Sequence, residues 1–486
     1  MKFQAFTVFS ALIVATTAHD VHAIRRHHEH VARQLPSSAT GAALAAPSSG
    51  QAGASAPAPT PSPGAPAPAA PQPQGTGALP LSEITSGMPV EPTFPVSQTY
   101  APGATPSYSG AIPLPTTFVF VASEWPAPDK VAPTDSPEVQ EWLKEIEGVE
   151  IPDIAPTIDG SCGESPDAAA NAQQNGWWTC GGWTRPTDIV SCPDPLTWGV
   201  SFDDGPSPYS ETLLNYLSQK NLKSTFFVVG SRAVERPDVL VEEYMAGHEI
   251  SVHTWAHPAL TSLTNEQIVA ELGWSRRAIQ QVIGVTPTTF RPPYGDIDDR
   301  VRAIANAMGL TAIMWTATPS GAKFDTNDWR VAGGQETGEQ QFQDFQAILG
   351  NATSLSTGFI VLEHDLFQVT VDLATQYTLN AALTHNPPFT LRPIGECNGI
   401  KPSDMYMETT TNQTYIAQRK KAASGANSTT TTNGTSGNGS SSNGNGSSSS
   451  TGNGSGAAAT SGAVKFMGSS IATFGALSAA LFISLL

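Results

Sequence analysis

Basic residues are scarce in this chain: 24 Lys and Arg stand against 42 Asp and Glu, for a formal net charge of −18. Such a surface repels polyanions, which argues against nucleic acid and anionic lipid surfaces as partners and leaves neutral or cationic ones open. Cysteine is also sparse. The four that occur, Cys162, Cys180, Cys192 and Cys397, never form a CxxC pair, so a cysteine-held metal is disfavoured and disulfides in an oxidising compartment are expected. Of the possible pairings we expect Cys162 with Cys180, and Cys192 with Cys397; the second ties together the two ends of the folded region. From Gly41 to about Thr116 charged and large apolar residues are nearly missing, and Pro, Ala, Ser, Gly and Thr dominate. That composition cannot bury enough surface to fold, so residues 19–116 read as a disordered, extended stalk.

The two ends carry targeting features. Residues 1–18 combine Lys2, an apolar run from Phe6 to Ala15 and small residues at Thr16 and Ala18, a secretory signal too short to span a bilayer. At the other end a Ser/Thr/Gly/Asn-rich linker, 401–455, precedes small residues and an apolar tail, Ile471 to Leu486, with nothing charged after it. This order describes a glycosylphosphatidylinositol signal over 456–486, with attachment expected at Asn453 or Ser455. A transmembrane helix is the alternative, but 16 residues without a following Lys or Arg are short for one. Sequons at Asn351, Asn412, Asn427, Asn433, Asn438 and Asn445 offer glycan acceptors. The expected location is the outer face of the plasma membrane and the cell wall. His27, His28 and His30 read as a solvated tail or processing site rather than a metal tract.

Residues 117–189 form a mixed extension. Ser136-Pro137 opens a short helix with Val139, Trp142, Leu143 and Ile146 on one face, and the aromatics of GWWTCGGW, Gly176 to Trp183, are expected to pack on the neighbouring domain rather than line a sugar surface. After Cys192 the pattern becomes regular. Strands are expected at 198–202, 224–229, 249–253, 288–291, 310–315, 358–363 and 389–394. Between them lie helices at 208–220, 238–246, 298–308 and 370–383, and one that starts at the capping box of Thr264 and Gln267 and ends at Gly284. Repeated βα units imply a parallel sheet with helices outside it. About seven strands in domain 190–400 fall short of a full eight-unit barrel of ~250 residues. The expected fold is therefore α/β, a distorted or incomplete (β/α) barrel.

In such a barrel, function gathers where strands end. Polar residues do cluster there: Asp203 and Asp204 after the first strand, His253 and His257 after the third, Arg291 to Gly295 after the fourth, Asp325 to Trp329 beyond the fifth, His364 and Asp365 after the sixth. Ser207 is expected to cap a helix opening at Pro208. Two imidazoles four residues apart, joined by one carboxylate, make a metal set that leaves coordination positions open; zinc suits it, as do other divalent ions. The same facial set serves non-haem iron oxygenases, but the barrel-like alternation favours hydrolysis.

SFDDGPS, HTWAH, RPPYGD, DTNDW and the triplet Leu362-Glu363-His364, in this order, resemble the five motifs of polysaccharide deacetylases of the nodulation-protein-B homology type, carbohydrate esterase family four. The resemblance covers Cys192 to Cys397. It implies that Asp204, His253 and His257 hold zinc, or cobalt or manganese in its place, and that Asp203 is the general base. It further implies that Arg291 fixes that base, that the Tyr294 backbone N–H helps to hold the oxyanion, and that His364 protonates the leaving amine. Asp328 orients His364 in that pattern, with Asp325 as the rival, and Trp329 and Leu362 enclose the acetyl methyl. Ser201 stands where Thr is usual, and Ala256 where a hydroxyl residue is usual, which is expected to loosen a bond behind the metal ligands. The implied reaction is removal of N-acetyl groups from chitin polymer or chito-oligosaccharides by a monomeric enzyme. A non-catalytic chitin-binding wall protein and an O-acetyl esterase are the competing readings.

Overall fold

The computed structural model describes residues 77–318, 321–413 and 415. The signal sequence, the histidine cluster, the stalk up to residue 76, the sequons from Asn427 onward, Asn453, Ser455 and the anchor signal lie outside them. Asn351 and Asn412 are both exposed.

Seven parallel strands form the centre: β1 Thr197–Asp203, β2 Thr225–Val228, β3 Glu249–Val252, β4 Thr289–Phe290, β5 Thr311–Ala312, β6 Phe359–Ile360 and β7 Thr390–Pro393. Their order is β5-β4-β3-β2-β1-β6, with β7 also paired to β1. Every residue of β1 is buried, as expected of a strand covered on both faces. Among the described residues no ladder closes β5 onto β6; the gap is crossed by Thr316, whose N–H donates to the Ile360 carbonyl (3.0 Å) and whose hydroxyl accepts from the Ile360 N–H (3.0 Å). An incomplete barrel of seven strands is what the alternation of elements implied. Both expected disulfides are present, Cys162–Cys180 and Cys192–Cys397.

The helices follow the expected order with local differences. Helix Asn265–Ile283 begins at the capping box of Thr264 and Gln267 and stops at Gly284 in the left-handed conformation. The helix after β1 starts at Ser210, not Pro208. Ser207 is not its cap: its hydroxyl accepts from the Tyr209 N–H (3.0 Å) and donates to the Asp365 carbonyl (2.6 Å), pinning the turn to the chain beyond β6. Helix Gly338–Ala352 was not anticipated, although Thr337 and Gln340 form a capping box at its start. The region expected to be one helix at 370–383 runs as Gln368–Leu373, a π turn over Ala374–Thr378, and Leu379–Leu383.

Residues 77–116 correct the expectation of a disordered stalk. They lie against the domain, with Ile84 and Leu114 buried. The Ser97 N–H donates to Glu211 Oε1 (3.0 Å) and its hydroxyl to Glu242 Oε1 (2.6 Å). The extension 117–189 packs behind the strand ends. Trp125 stacks on Trp255 at 5.8 Å, and Trp142 lies so close over Gly273 that a Cβ there would meet its ring at 2.1 Å. Trp178 meets Trp315 edge-on at 4.5 Å.

Candidate active site

Register brings the first and last motifs together. Beyond β6 the chain stays alongside β1, so Asp203 and His364 are cross-strand partners: the Asp203 N–H donates to the Glu363 carbonyl (2.9 Å) and the Asp365 N–H to the Asp203 carbonyl (3.1 Å). Two residues named for opposite proton transfers therefore leave neighbouring strands at the same level.

Asp203 is buried and ion-paired. Its Oδ1 lies 2.7 Å from Arg291 Nη1, which also donates to Ser201 Oγ (3.0 Å). The guanidinium lies over the Phe227 ring at 4.0 Å. Arg291 has no exposed surface, and a buried charge of this kind is tolerable only beside its partner. Asp203 Oδ2 lies 3.8 Å from His253 Nε2.

Asp204, His253 and His257 converge, with one ligand atom of each within 4.8 Å of the others, and all three are buried. Asp204 Oδ1 is 3.3 Å from His253 Nε2 and 3.1 Å from His257 Nε2. The His253 ring shows the fit to a cation: its Nδ1 is 2.7 Å from the Arg291 carbonyl, which can only accept, so Nδ1 donates there and Nε2 is the atom left to face the centre of the set. Burial pushes His257 down, against the opposing pull of Asp204, which keeps that ring neutral and able to ligate.

The backbone around the set is strained where the side chains must turn inward. Asp204 (φ 80°), Thr254 (64°), His257 (60°), Tyr294 (60°) and Asn327 (57°) are all left-handed, a conformation costing about 1–3 kcal/mol each in a non-glycine residue. Compensating bonds hold the His253–His257 turn. Thr254 Oγ1 accepts from the His257 N–H (3.0 Å), and Glu271 Oε2 accepts from the N–H groups of Trp255 (3.0 Å) and Ala256 (2.9 Å). The missing hydroxyl at Ala256 therefore leaves the turn bonded through Thr254 and Glu271. The N-terminus of the short helix Gly230–Glu235 adds the Gly230 N–H to the Thr254 carbonyl (2.9 Å), and Arg232 Nη1 donates to the Asp204 carbonyl (2.6 Å). Gly230 has no room for a side chain: a Cβ would meet the Ser275 Cα at 2.7 Å.

The opposite wall settles the choice between two carboxylates. Asp328 Oδ1 lies 2.7 Å from His364 Nδ1, and its Oδ2 accepts the His364 backbone N–H at 2.8 Å. Asp325 instead accepts the Asn327 N–H (2.9 Å) and lies across from Leu362 in register. Burial works against a charged imidazole, but Asp328, with smaller help from Asp204 and Asp203, pushes His364 up to about 10, so the ring is protonated at neutral pH. Trp329 follows Asp328, half-buried, with its N–H on Asp328 Oδ1 (2.8 Å), and Leu362 is buried two residues before His364. Tyr294 packs edge-on against His257, ring centres 4.6 Å apart.

Comparison with known proteins gives the family. A polysaccharide deacetylase family model matches residues 191–313. The chain is 52% identical over 353 residues to chitin deacetylase 1 of Cryptococcus neoformans var. grubii, a match covering 72% of this chain and 74% of that protein. The chain belongs to the polysaccharide deacetylase family. A chitin deacetylase of Amylomyces rouxii is 37% identical over 273 residues, 53% of this chain and 63% of that protein. Among solved structures, the chitin deacetylase of Colletotrichum lindemuthianum superposes with a TM-score of 0.41 at 25% identity, covering 46% of this chain and 97% of that one. As a polysaccharide deacetylase the chain is an enzyme, a carbohydrate esterase of a metal-dependent family, with Asp204, His253 and His257 as its candidate metal set.

Sequence reasoning missed several supporting residues: Glu271, Arg232, and Asp296, which accepts from Trp177 Nε1 (2.7 Å), Thr179 (2.8 Å) and Thr261 (2.7 Å) behind the Tyr294 turn. Only Asp296 carried a signal, as the last residue of RPPYGD.

Proposed function

We propose that this deacetylase removes the N-acetyl groups of chitin or chito-oligosaccharides, releasing acetate and leaving chitosan, with zinc, or cobalt or manganese, on Asp204, His253 and His257. The observation that carries the reading is the pairing of Asp203–Arg291 with His364–Asp328 on adjacent strand ends, beside that set. An amide resists hydrolysis because its carbonyl is a poor electrophile and its amine a poor leaving group, so water must lose a proton and the nitrogen must gain one. A divalent cation would supply a Lewis acid for the acetyl oxygen and for acidifying water.

The chain's own residues divide the rest. Asp203 takes the water proton on Oδ2, because Oδ1 is held by Arg291. The Tyr294 backbone N–H donates to the oxyanion, as in the family pattern. As the C–N bond breaks, His364 gives its Nε2 proton to the nitrogen; Nδ1 stays bonded to Asp328, which fixes the ring and stabilises its charge. Trp329 and Leu362 close around the acetyl methyl. The products balance as acetate and an amine.

We place the enzyme at the outer face of the plasma membrane and in the cell wall, tethered by a lipid anchor at Asn453 or Ser455, on the strength of the terminal sequences, and take it to act as a monomer. Release from membranes by phosphatidylinositol-specific phospholipase C tests that placement; continued membrane retention would contradict it. The activity is tested by acetate release from N-acetyl and O-acetyl oligosaccharides with wild type and Asp203→Asn. The N-acetyl substrate should be preferred and the variant inactive; a preference for O-acetyl groups would make the enzyme an esterase of another glycan.

A further inference from the structure

Composition alone places residues 79–91 in an unfolded stalk, yet they clip together two helices that flank the His364 wall. Ile84 is fully buried, in a small apolar cluster separate from the main core. Its neighbours there are Val331 and Ala332, from the helix Asp328–Ala332 that begins with the residue orienting His364, and Val369 and Leu373, from the helix Gln368–Leu373 that follows it. Backbone bonds fasten the segment at both ends and in the middle. The Leu79 N–H donates to Gln376 Oε1 (2.7 Å), and Tyr377 donates its hydroxyl proton to the Leu79 carbonyl. The Gly338 N–H donates to the Ile84 carbonyl (3.2 Å), and the Glu91 N–H to Gln368 Oε1 (2.8 Å). Gly338 has no space for a side chain: a Cβ there would meet the Leu81 carbonyl oxygen at 2.7 Å.

The helix that this segment braces is short. Asp328–Ala332 spans five residues, its N-cap Asn327 is left-handed, and no side chain caps it. One turn of helix does not hold its own geometry in water, while Asp328 must keep both oxygens on His364, one on the ring and one on the backbone. Its apolar residues Val331 and Ala332 pack in one buried cluster with Ile84 from the segment and Val369 and Leu373 from the neighbouring helix.

We propose that residues 79–91 are a strap required for catalysis, with Ile84 a positioning residue that holds Asp328 against His364. The inference rests on the role given above to His364 as proton donor. It predicts an effect on turnover that exceeds the effect on binding, because Asp328 acts through His364, whose proton is called on only as the C–N bond breaks. Misplacing a catalytic group by about 1 Å costs up to ~10²-fold in rate; so Ile84→Ala should lower kcat roughly five- to a hundredfold.

The test uses the full chain with Ile84→Ala and the conservative Ile84→Val, assayed on N-acetylglucosamine oligomers at a temperature where both are folded by circular dichroism. The expected result is a fall in kcat for Ile84→Ala with KM within about twofold, and recovery in Ile84→Val. A second readout needs no turnover: the low-field proton resonance of His364 Nδ1–H, present in wild type and Ile84→Val, should broaden or vanish in Ile84→Ala. Unchanged kcat and an unchanged ring proton in Ile84→Ala would reduce the strap to ordinary packing. A wild type that releases no acetate from these oligomers would overturn the proposed substrate, and the ring-proton comparison would still decide whether Ile84 positions Asp328.

Discussion

Asp328→Asn removes one charge from the His364 wall and keeps its shape. In the native enzyme two bonds, 2.7 Å to the ring and 2.8 Å to the backbone, place the imidazole, and the carboxylate holds it protonated with a pKa pushed up to about 10. Without that charge the ring returns toward the ordinary histidine value of about 6.5, and burial, the largest opposing influence, drives it lower. At pH 7 the protonated fraction would then fall from nearly complete to about a quarter at a pKa of about 6.5. The amide of Asn can also donate to Nδ1, leaving a neutral ring whose Nε2–H is a feeble acid. Together these place the loss in kcat at roughly 10²–10³, within the span that general acid catalysis supplies. KM should change little. The decisive comparison uses two substrates: the N-acetyl oligomer, whose amine must be protonated, and an activated aryl acetate, whose phenolate leaves unaided. Amide hydrolysis should collapse while aryl ester hydrolysis stays within about tenfold, the measure being initial rates at pH 7. Equal losses on both substrates would refute the assignment of His364 as proton donor.

Three further outcomes follow from the same geometry. Glu271→Ala leaves the N–H groups of Ala132, Trp255 and Ala256 without their acceptor; each such buried donor costs about 1–3 kcal/mol, and zinc affinity, measured against a chelating dye, should weaken about 10–100-fold as for other lost supports of ligand loops. Arg291→Leu leaves Asp203 buried and unpaired, which should cost about 3–5 kcal/mol of stability by urea unfolding as well as activity; unchanged stability would mean that the pair is looser than 2.7 Å implies. Stability should also respond to pH through Glu363. Burial pushes it up to about 8, against the Thr378 hydroxyl bond, so its contribution is complete below the unfolded value near 4.5 and is lost as pH rises through 8, at up to about 1.4 kcal/mol per pH unit. Glu363→Gln should therefore gain on wild type in melting temperature between pH 5 and pH 8, and a gap that narrows over that interval would contradict the sign.

Much of the site was legible because the chemistry sits in short local patterns at the ends of strands whose apolar, β-branched character is plain. Asp203-Asp204, His253 with His257, and Arg291 could be placed from sequence because each ends or follows such a strand. The choice of Asp328 over Asp325 could not, since it depends on a left-handed Asn327 and a single helical turn that put both Asp328 oxygens on His364. Glu271 was invisible for a related reason: it lies in the middle of a long amphipathic helix, and only the packing of that helix under the His253–His257 turn gives its carboxylate three backbone donors. The strap shows the limit of composition as an argument. Pro- and Ser-rich averages point to an unfolded stalk over residues 77–116, but buried Ile84 and Leu114 and bonds to Gln376, Gln368, Gly338, Glu211 and Glu242 dock the segment on a core that already exists. The helix Gly338–Ala352 carried a local signal in the capping box of Thr337 and Gln340.

The claim on which the rest depends is that Asp204, His253 and His257 hold a divalent cation beside Asp203, and that the two act together on an acetamide. Acetate release from an N-acetylglucosamine tetramer by metal-stripped protein, titrated with zinc in wild type and Asp203→Asn, measures this directly. Activity should be absent in the stripped wild type, should return in full at equimolar zinc, and should stay absent in Asp203→Asn although that variant binds the metal. Acetate release by the stripped enzyme, or by Asp203→Asn at the wild-type rate, would contradict the account.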